Sequence, residues 1–406
     1  MSAALTKSLN LSHKILSPLR MFFNDSRAVG VLLIGCTILS LFITNYFVGS
    51  TYREFWQKDI LAASVNLPRN AGHWINDFLM SFFFLMAGME IKRELLSGEL
   101  SSFKKAILPF GAALGGMIVP AVIFLLFNAS SGFQHGWGIP TATDIAFSLG
   151  IASLLGKRVP VGLKILLMAI AIIDDLGAIV VIALFYGGKL QMNYLSISGV
   201  IYLVLWACNF FKIKLWQLQA VLSLALWYTV YNTGIEAGIT GVLVAFAVPV
   251  NSTPKILKLI HKPVNFFILP LFALANTAIL IPSNISQALN STISLGVLLG
   301  LVIGKPIGIL LFSRVMVGLK VAKLPSSTNW GGVLGMGTLA GIGFTMSIFT
   351  TTLAFASDAA IDLAKIAILA AMVTSLVLSW MYFILYDKQF SFSESRKAIP
   401  EASIAT

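Results

Sequence analysis

Four ionisable residues stand where the sequence has almost no others: Asp144, the adjacent pair Asp174 and Asp175, and Lys305. The pair lies inside LLMAIAIIDDLGAIVVIALF, residues 166–185, with apolar residues on both sides. Two close carboxylates in a low-dielectric site cannot both ionise cheaply, so their titrations couple and a cation binding between them releases protons. Carboxylate oxygens also suit a hard cation. Helix neighbours point about 100° apart, so one aspartate can meet Lys305 while the other faces a water-filled cavity. Lys305 precedes Arg314 by nine residues, too deep for its ammonium to snorkel easily to the surface. Pairing with an aspartate that merely holds helices together is the plainer role for this lysine.

The elements that carry these groups follow from composition. Of 406 residues, 57% are hydrophobic and 11% charged, with a net charge of +12. Mean hydropathy is +0.89. Soluble domains carry about 25% charged residues, so a water-soluble fold is excluded, and so is a disordered chain. A spanning helix needs about 20 apolar residues. That window places twelve spans, near 28–48, 73–96, 104–127, 141–156, 161–186, 193–211, 214–232, 236–250, 263–281, 293–314, 330–354 and 360–386. The runs are continuous rather than alternating, so helices are favoured over a β-barrel. The fold class is therefore an all-α polytopic membrane protein. It is divided into an N-terminal tail (1–27), a membrane domain (28–386) and a C-terminal tail (387–406). No cleaved signal peptide is expected; Leu9–Phe23 reads either as a short interfacial helix or as a solvated tail. Cys36 and Cys208 show no metal or disulfide pattern and read as packed thiols.

Charge sets the sidedness. Twenty-one Lys and Arg fall on one side, including Lys92, Arg93, Lys104, Lys105, Lys157, Arg158, Lys320 and Lys323. The other side has five: Arg53, Lys58, Arg69, Lys189 and Lys365. The positive-inside rule then puts both termini in the cytoplasm, and the basic excess calls for no nucleic-acid partner.

Two stretches break the helical pattern: Gly138-Ile-Pro-Thr-Ala-Thr-Asp144, and Gly335 through Gly341, Gly343 and Thr345 to Ser347. Interruptions in corresponding halves point to an inverted-repeat transporter whose broken helices, here near 141–147 and 335–347, meet in mid-membrane. Half-helix ends carry about half a charge each. Asp144 suits the positive ends and Lys305 the negative ones.

These residues resemble the NhaA family of bacterial sodium/proton antiporters. The resemblance runs from about Asp25 to Asp387. It is carried by Gly88-Met-Glu-Ile-Lys-Arg-Glu-Leu-Leu-Ser-Gly98, Pro140-Thr-Ala-Thr-Asp-Ile-Ala-Phe147, Ala171-Ile-Ile-Asp-Asp-Leu-Gly-Ala178, Leu269-Pro-Leu-Phe-Ala-Leu-Ala-Asn276, Gly304-Lys-Pro306 and Gly341-Ile-Gly-Phe-Thr-Met-Ser347. It implies that Asp174 and Asp175 bind the transported sodium and protons, and that Lys305 pairs with Asp174 when sodium is absent. It also implies that Thr143 and Asp144 belong to the crossing of broken helices, that Asp144 contributes to the ion site, and that Glu90 and Glu94 bear on pH regulation. Asp77 matches a structurally important acid. Read from spacing alone, Glu90 and Glu94 are a solvated helix end paired with Lys92 or Arg93. Where well-studied members have a His, this chain has Glu236, and the loop 251–262 carries three lysines, so a shifted or weaker pH dependence is expected.

The resemblance further implies electrogenic, alternating-access extrusion of sodium, with lithium as a second substrate, across the inner membrane. No resident cofactor and no catalytic residue are expected. Family members form dimers partly through the external loop corresponding to 49–72. A sodium-coupled symporter of a small organic solute is the alternative, but it needs a roomier polar pocket. An intramembrane aspartyl protease needs facing aspartates on separate helices and a Gly-x-Gly-Asp element, which the chain lacks.

Overall fold

In a computed structural model, residues 26–61, 66–211, 215–325 and 328–397 are described. The expectation for Leu9–Phe23 lies outside them. The described residues are helical with no strand; the sole extended pairing is an isolated bridge between Asp59 and Asn70. The membrane helices, in order, are α1 (Ala28–Phe47), α2 (Ala71–Ser97), α3 (Phe103–Asn128), α4 (Ile145–Leu154), α5 (Val161–Phe185) and α6 (Met192–Phe210). They continue with α7 (Trp216–Tyr231), α8 (Ile239–Ala247), α9 (Val250–Asn276), α10 (Thr292–Gly318), α11 (Trp330–Ala340), α12 (Phe344–Ala354) and α13 (Asp358–Lys397). Each of the twelve expected spans meets a helix here.

Eight of these helices are long and apolar enough to cross a membrane alone, and the pair α11–α12, bent by 51°, makes a ninth. The other three expected spans, at α4, α7 and α8, fold as shorter helices. For α4 the cause is local: residues 134–141 form a 3-10 stretch containing Pro140, and proline has no N–H to carry an α-helix through.

Two boundaries differ from expectation. Residues 251–262, expected as a loop, are helical: Thr253–Pro263 continues into the rest of α9. Pro254 presets the first turn. Thr253, Leu257 and Val264 then turn inward, while Lys255, Lys258 and Lys262 stay exposed. Such an amphipathic turn forms a helix without being apolar enough to register as a span. The last helix runs on to Lys397, past the expected end at 386.

The chain forms two compact units, residues 1–93 with 183–280, and residues 94–182 with 281–406. In the first, Ser40 Oγ on α1 donates to the Leu274 carbonyl on α9 (2.7 Å) and Asn276 Nδ2 to Asn76 Oδ1 on α2 (2.8 Å). Apolar packing joins α6, α7 and α8 through Leu205, Leu226, Val230 and Ala247. In the second, α3 and α10 approach at Gly115 and Gly308, where a Cβ on either would strike the other's carbonyl oxygen. That contact requires glycine on both helices, and it sets the depth of Lys305. Many outward side chains are large and apolar, among them Leu126 (73% exposed) and Leu184 (72%), a surface that belongs in hydrocarbon rather than water. The chain is thus a multi-pass helical membrane protein. Both cysteines are free; Cys208 is buried and Cys36 half-buried.

Candidate ion site

The site lies within the second unit, where a regular helix carries Asp174 and Asp175 while Lys305 and Asp144 adjoin interruptions. Asp174 and Asp175 sit midway along α5, 0% and 4% exposed. Lys305, also fully buried, follows a π-helical turn at Gly300–Gly304 and precedes Pro306. A π-turn adds a residue to one helical turn and re-aims the side chains beyond it.

Lys305 Nζ donates to Asp174 Oδ2 (2.5 Å) and to Thr143 Oγ1 (2.6 Å). The single hydroxyl hydrogen of Thr143 has two acceptors in reach, Asp174 Oδ2 at 2.7 Å and the Ala340 carbonyl at 3.0 Å. Ala340 ends α11. The sequence reading set Lys305 against negative helix ends; its bonds go to Asp174 and Thr143. The other Asp174 oxygen, Oδ1, is buried and accepts no hydrogen bond. A buried carboxylate oxygen that accepts nothing could take a cation as ligand.

Asp144 stands apart from that triad and joins the two interrupted helices. It is the N-cap of α4, accepting from the Phe147 amide (3.1 Å). It also accepts from the Thr345 amide (3.1 Å) and hydroxyl (2.6 Å) at the start of α12. Its own amide donates to the Ile342 carbonyl (2.7 Å). The glycines of the break make room: a Cβ at Gly341 would lie 2.5 Å from the Leu301 carbonyl oxygen, and one at Gly343 2.7 Å from that of Ala142.

The regulatory candidates lie elsewhere. Glu90 is half-buried and Glu94 buried near the end of α2. Lys92, which spacing offered beside Arg93 as their partner, reaches three carbonyls at the end of α8: Ala245 (3.3 Å), Phe246 (2.8 Å) and Val248. Glu236, in the turn before α8, accepts from the Gly238 amide (3.3 Å) and lies within electrostatic reach of Asp77 on α2. Sequence reading missed both groupings. Nothing in the spacing joins Lys92 to the end of α8 or Asp77 to Glu236. No three-residue His, Cys, Asp or Glu cluster suited to a resident metal occurs among the described residues.

Buried ionisable groups at the crossing of two interrupted membrane helices define a polytopic ion transporter. More narrowly, the chain belongs to the Na+/H+ antiporter 1 family, whose profile matches residues 20–383. It is 48% identical over 362 residues to the Na(+)/H(+) antiporter NhaA of Flavobacterium psychrophilum, covering 88% of this chain and 93% of that one. It is 44% identical over 378 residues to the protein of the same name in Dechloromonas aromatica (89% and 95% covered). Against that of Shigella dysenteriae it is 42% identical over 377 residues (89% and 97% covered).

Proposed function

We propose that this chain exchanges sodium for protons as a secondary active antiporter, and that Asp174 and Asp175 with Thr143 take the sodium ion. The observation carrying this reading is the fully buried Asp174–Lys305 pair sharing one threonine hydroxyl. Sodium at Asp174 competes with the ammonium for the same carboxylate charge. A buried ammonium without its counter-ion is costly and favours the neutral amine. Sodium entry therefore drives proton loss from Lys305, from the neighbouring carboxylates, or from both, which gives a physical route to electrogenic exchange. Asp144 sets the potential at the crossing without losing its helix-capping role.

High cytoplasmic pH deprotonates the site and admits sodium; on the outer face protons displace it. Relative motion of helix groups about the crossing alternates access. Lithium, smaller and equally oxygen-seeking, is a second substrate. The reading places the protein in the bacterial inner membrane with residues 28–386 as its membrane domain and both termini cytoplasmic. Glu90, Glu94 and Glu236 are the pH-regulating candidates.

The test is dissipation of a preformed pH gradient in everted vesicles on adding sodium, lithium or potassium. Wild-type protein responds to sodium and lithium and Asp175→Asn does not. Silence of the wild type, or a full response of the variant, overturns the assignment.

A further inference from the structure

Within the second unit, a cavity of about 680 Å3 lies between the start of α3, the start of α5 and the segment following α10. Four lysines line it, Lys104 and Lys105 from α3 and Lys320 and Lys323 from that segment, and no lining residue is acidic. We propose that this cavity binds a phosphate-bearing anion, held by the lysine ammoniums and the N-terminal end of α5.

Charge selects the ligand class. Four ammoniums around one cavity repel sodium, so this is not a mouth for the transported cation. A phosphate group offers several oxygens to several ammoniums at once, and charge-assisted bonds of this kind are about twice as strong as neutral ones. Gly162 brings the first turn of α5 to the wall with no side chain in the way. A helix N-terminus facing an anion adds backbone donors and favourable dipole.

A helix-ending turn sets the position of Lys320. After α10 ends, the Lys320 amide donates to Val317 (3.0 Å), and the amides of Val321 and Ala322 both reach the Met316 carbonyl (3.1 and 3.2 Å). Lys320 itself holds φ 61°, the only non-glycine residue with positive φ among those described. Glycine is the usual residue in that conformation, and another costs about 1 kcal/mol or more. This left-handed turn closes the end of α10 and places Lys320 among the residues lining the cavity.

The lysines belong to the cytoplasmic set by the positive-inside count, the leaflet whose anionic headgroups favour basic pockets between helices. A lipid headgroup and a soluble phosphate share this chemistry. Either ligand would bridge α5, which carries Asp174 and Asp175, to the end of α10, which carries Lys305. Ala169, on the cavity wall, precedes Asp174 by five residues, about 7.5 Å along a helix.

The test uses the full chain, purified and placed in phosphatidylcholine nanodiscs, titrated with phosphatidylglycerol and separately with inorganic phosphate. Binding is read by native mass spectrometry and thermal shift, with no transport required. Wild type binds one probe saturably, and the triple variant K104Q/K320Q/K323Q binds it at least about tenfold more weakly. The control K255Q/K258Q/K262Q, with the same loss of charge on α9, binds as wild type does. Saturation by inorganic phosphate alone assigns a soluble ligand; saturation by the lipid alone assigns a headgroup. Should the triple variant fail to fold, Lys323→Glu at the exposed rim replaces it, with weaker binding expected. Equal binding by wild type and cavity variant, or equal loss in the α9 control, overturns the proposal.

Discussion

Oδ2 of Asp144 accepts hydrogen bonds from both the amide and the hydroxyl of Thr345, a residue 201 positions further along the chain. The same carboxylate caps α4 through Phe147, while the N-cap residue of α12, Gly343, supplies no side-chain bond of its own. Each helix start carries about half a positive charge. One carboxylate therefore balances two N-termini and joins the helices they begin. The aspartate serves through its charge and its two oxygens together.

Thr345→Val is expected to lower stability by about 1–2 kcal/mol, because a hydrogen bond to a buried carboxylate is lost while the amide contact survives. Thr345→Ser should stay near wild type, and Asp144→Asn should lose more than Thr345→Val. Thermal unfolding in detergent measures the order. A serine variant as unstable as the valine one would show that the methyl group matters and the hydroxyl does not.

Asp174 and Lys305 make a double-mutant cycle with a definite sign. Breaking a buried ion pair from one side costs about 3–5 kcal/mol, since it strands the other charge. Lys305→Met and Asp174→Asn should each destabilise strongly, and Asp174→Asn/Lys305→Met should recover much of the loss while abolishing sodium exchange. Additive losses in unfolding midpoint would mean that the two side chains do not interact energetically.

Much of this was legible in the sequence, for a physical reason. Charge is so expensive in hydrocarbon that Asp144, Asp174, Asp175 and Lys305 identify themselves against an apolar background. Proline and glycine at Pro140, Gly341 and Gly343 likewise mark where a helix cannot continue. What escaped depends on which helix lies beside which. Spacing offered Lys92 to Glu90 and Glu94, its neighbours along α2, whereas its ammonium goes to carbonyls more than 150 residues away. Asp77 and Glu236 are far apart in sequence, and only the packing of α2 against the turn before α8 brings them near. The helix at Thr253–Pro263 was hidden by its lysines, which lower its hydropathy without disturbing its period.

Lys92 gives a third prediction. Its three N–H groups serve the carbonyls that α8 leaves unsatisfied at its C-terminal end, where a cation is also favoured by the dipole. Lys92→Met should expose amides of α8 to hydrogen exchange and lower stability by about 1–3 kcal/mol. Lys92→Arg, which keeps the charge, should restore much of the protection. Unchanged exchange across residues 239–252 in the methionine variant would remove this role from Lys92.

The pH dependence separates the ion site from its regulation. Sodium needs deprotonated carboxylates, so protons compete: as pH falls the site fills with protons, and the apparent KM for sodium rises, about tenfold per unit for each proton displaced. That slope belongs to Asp174, Asp175 and Lys305 together and should survive changes at Glu236. The activation profile is a different matter. Glu236 lies within electrostatic reach of Asp77 and Tyr231; the resemblance sets it where well-studied members carry histidine, which changes charge between about pH 5 and 8. Glu236→His puts a cation opposite Asp77 at low pH and a neutral ring at high pH. It is therefore expected to steepen maximal activity with pH over that interval, while the KM slope stays put. Sodium-driven proton release in everted vesicles, stepped through pH at saturating and limiting sodium, resolves the two. Superimposable activation profiles for wild type and Glu236→His would take Glu236 out of pH regulation and leave Glu90 and Glu94 as the candidates.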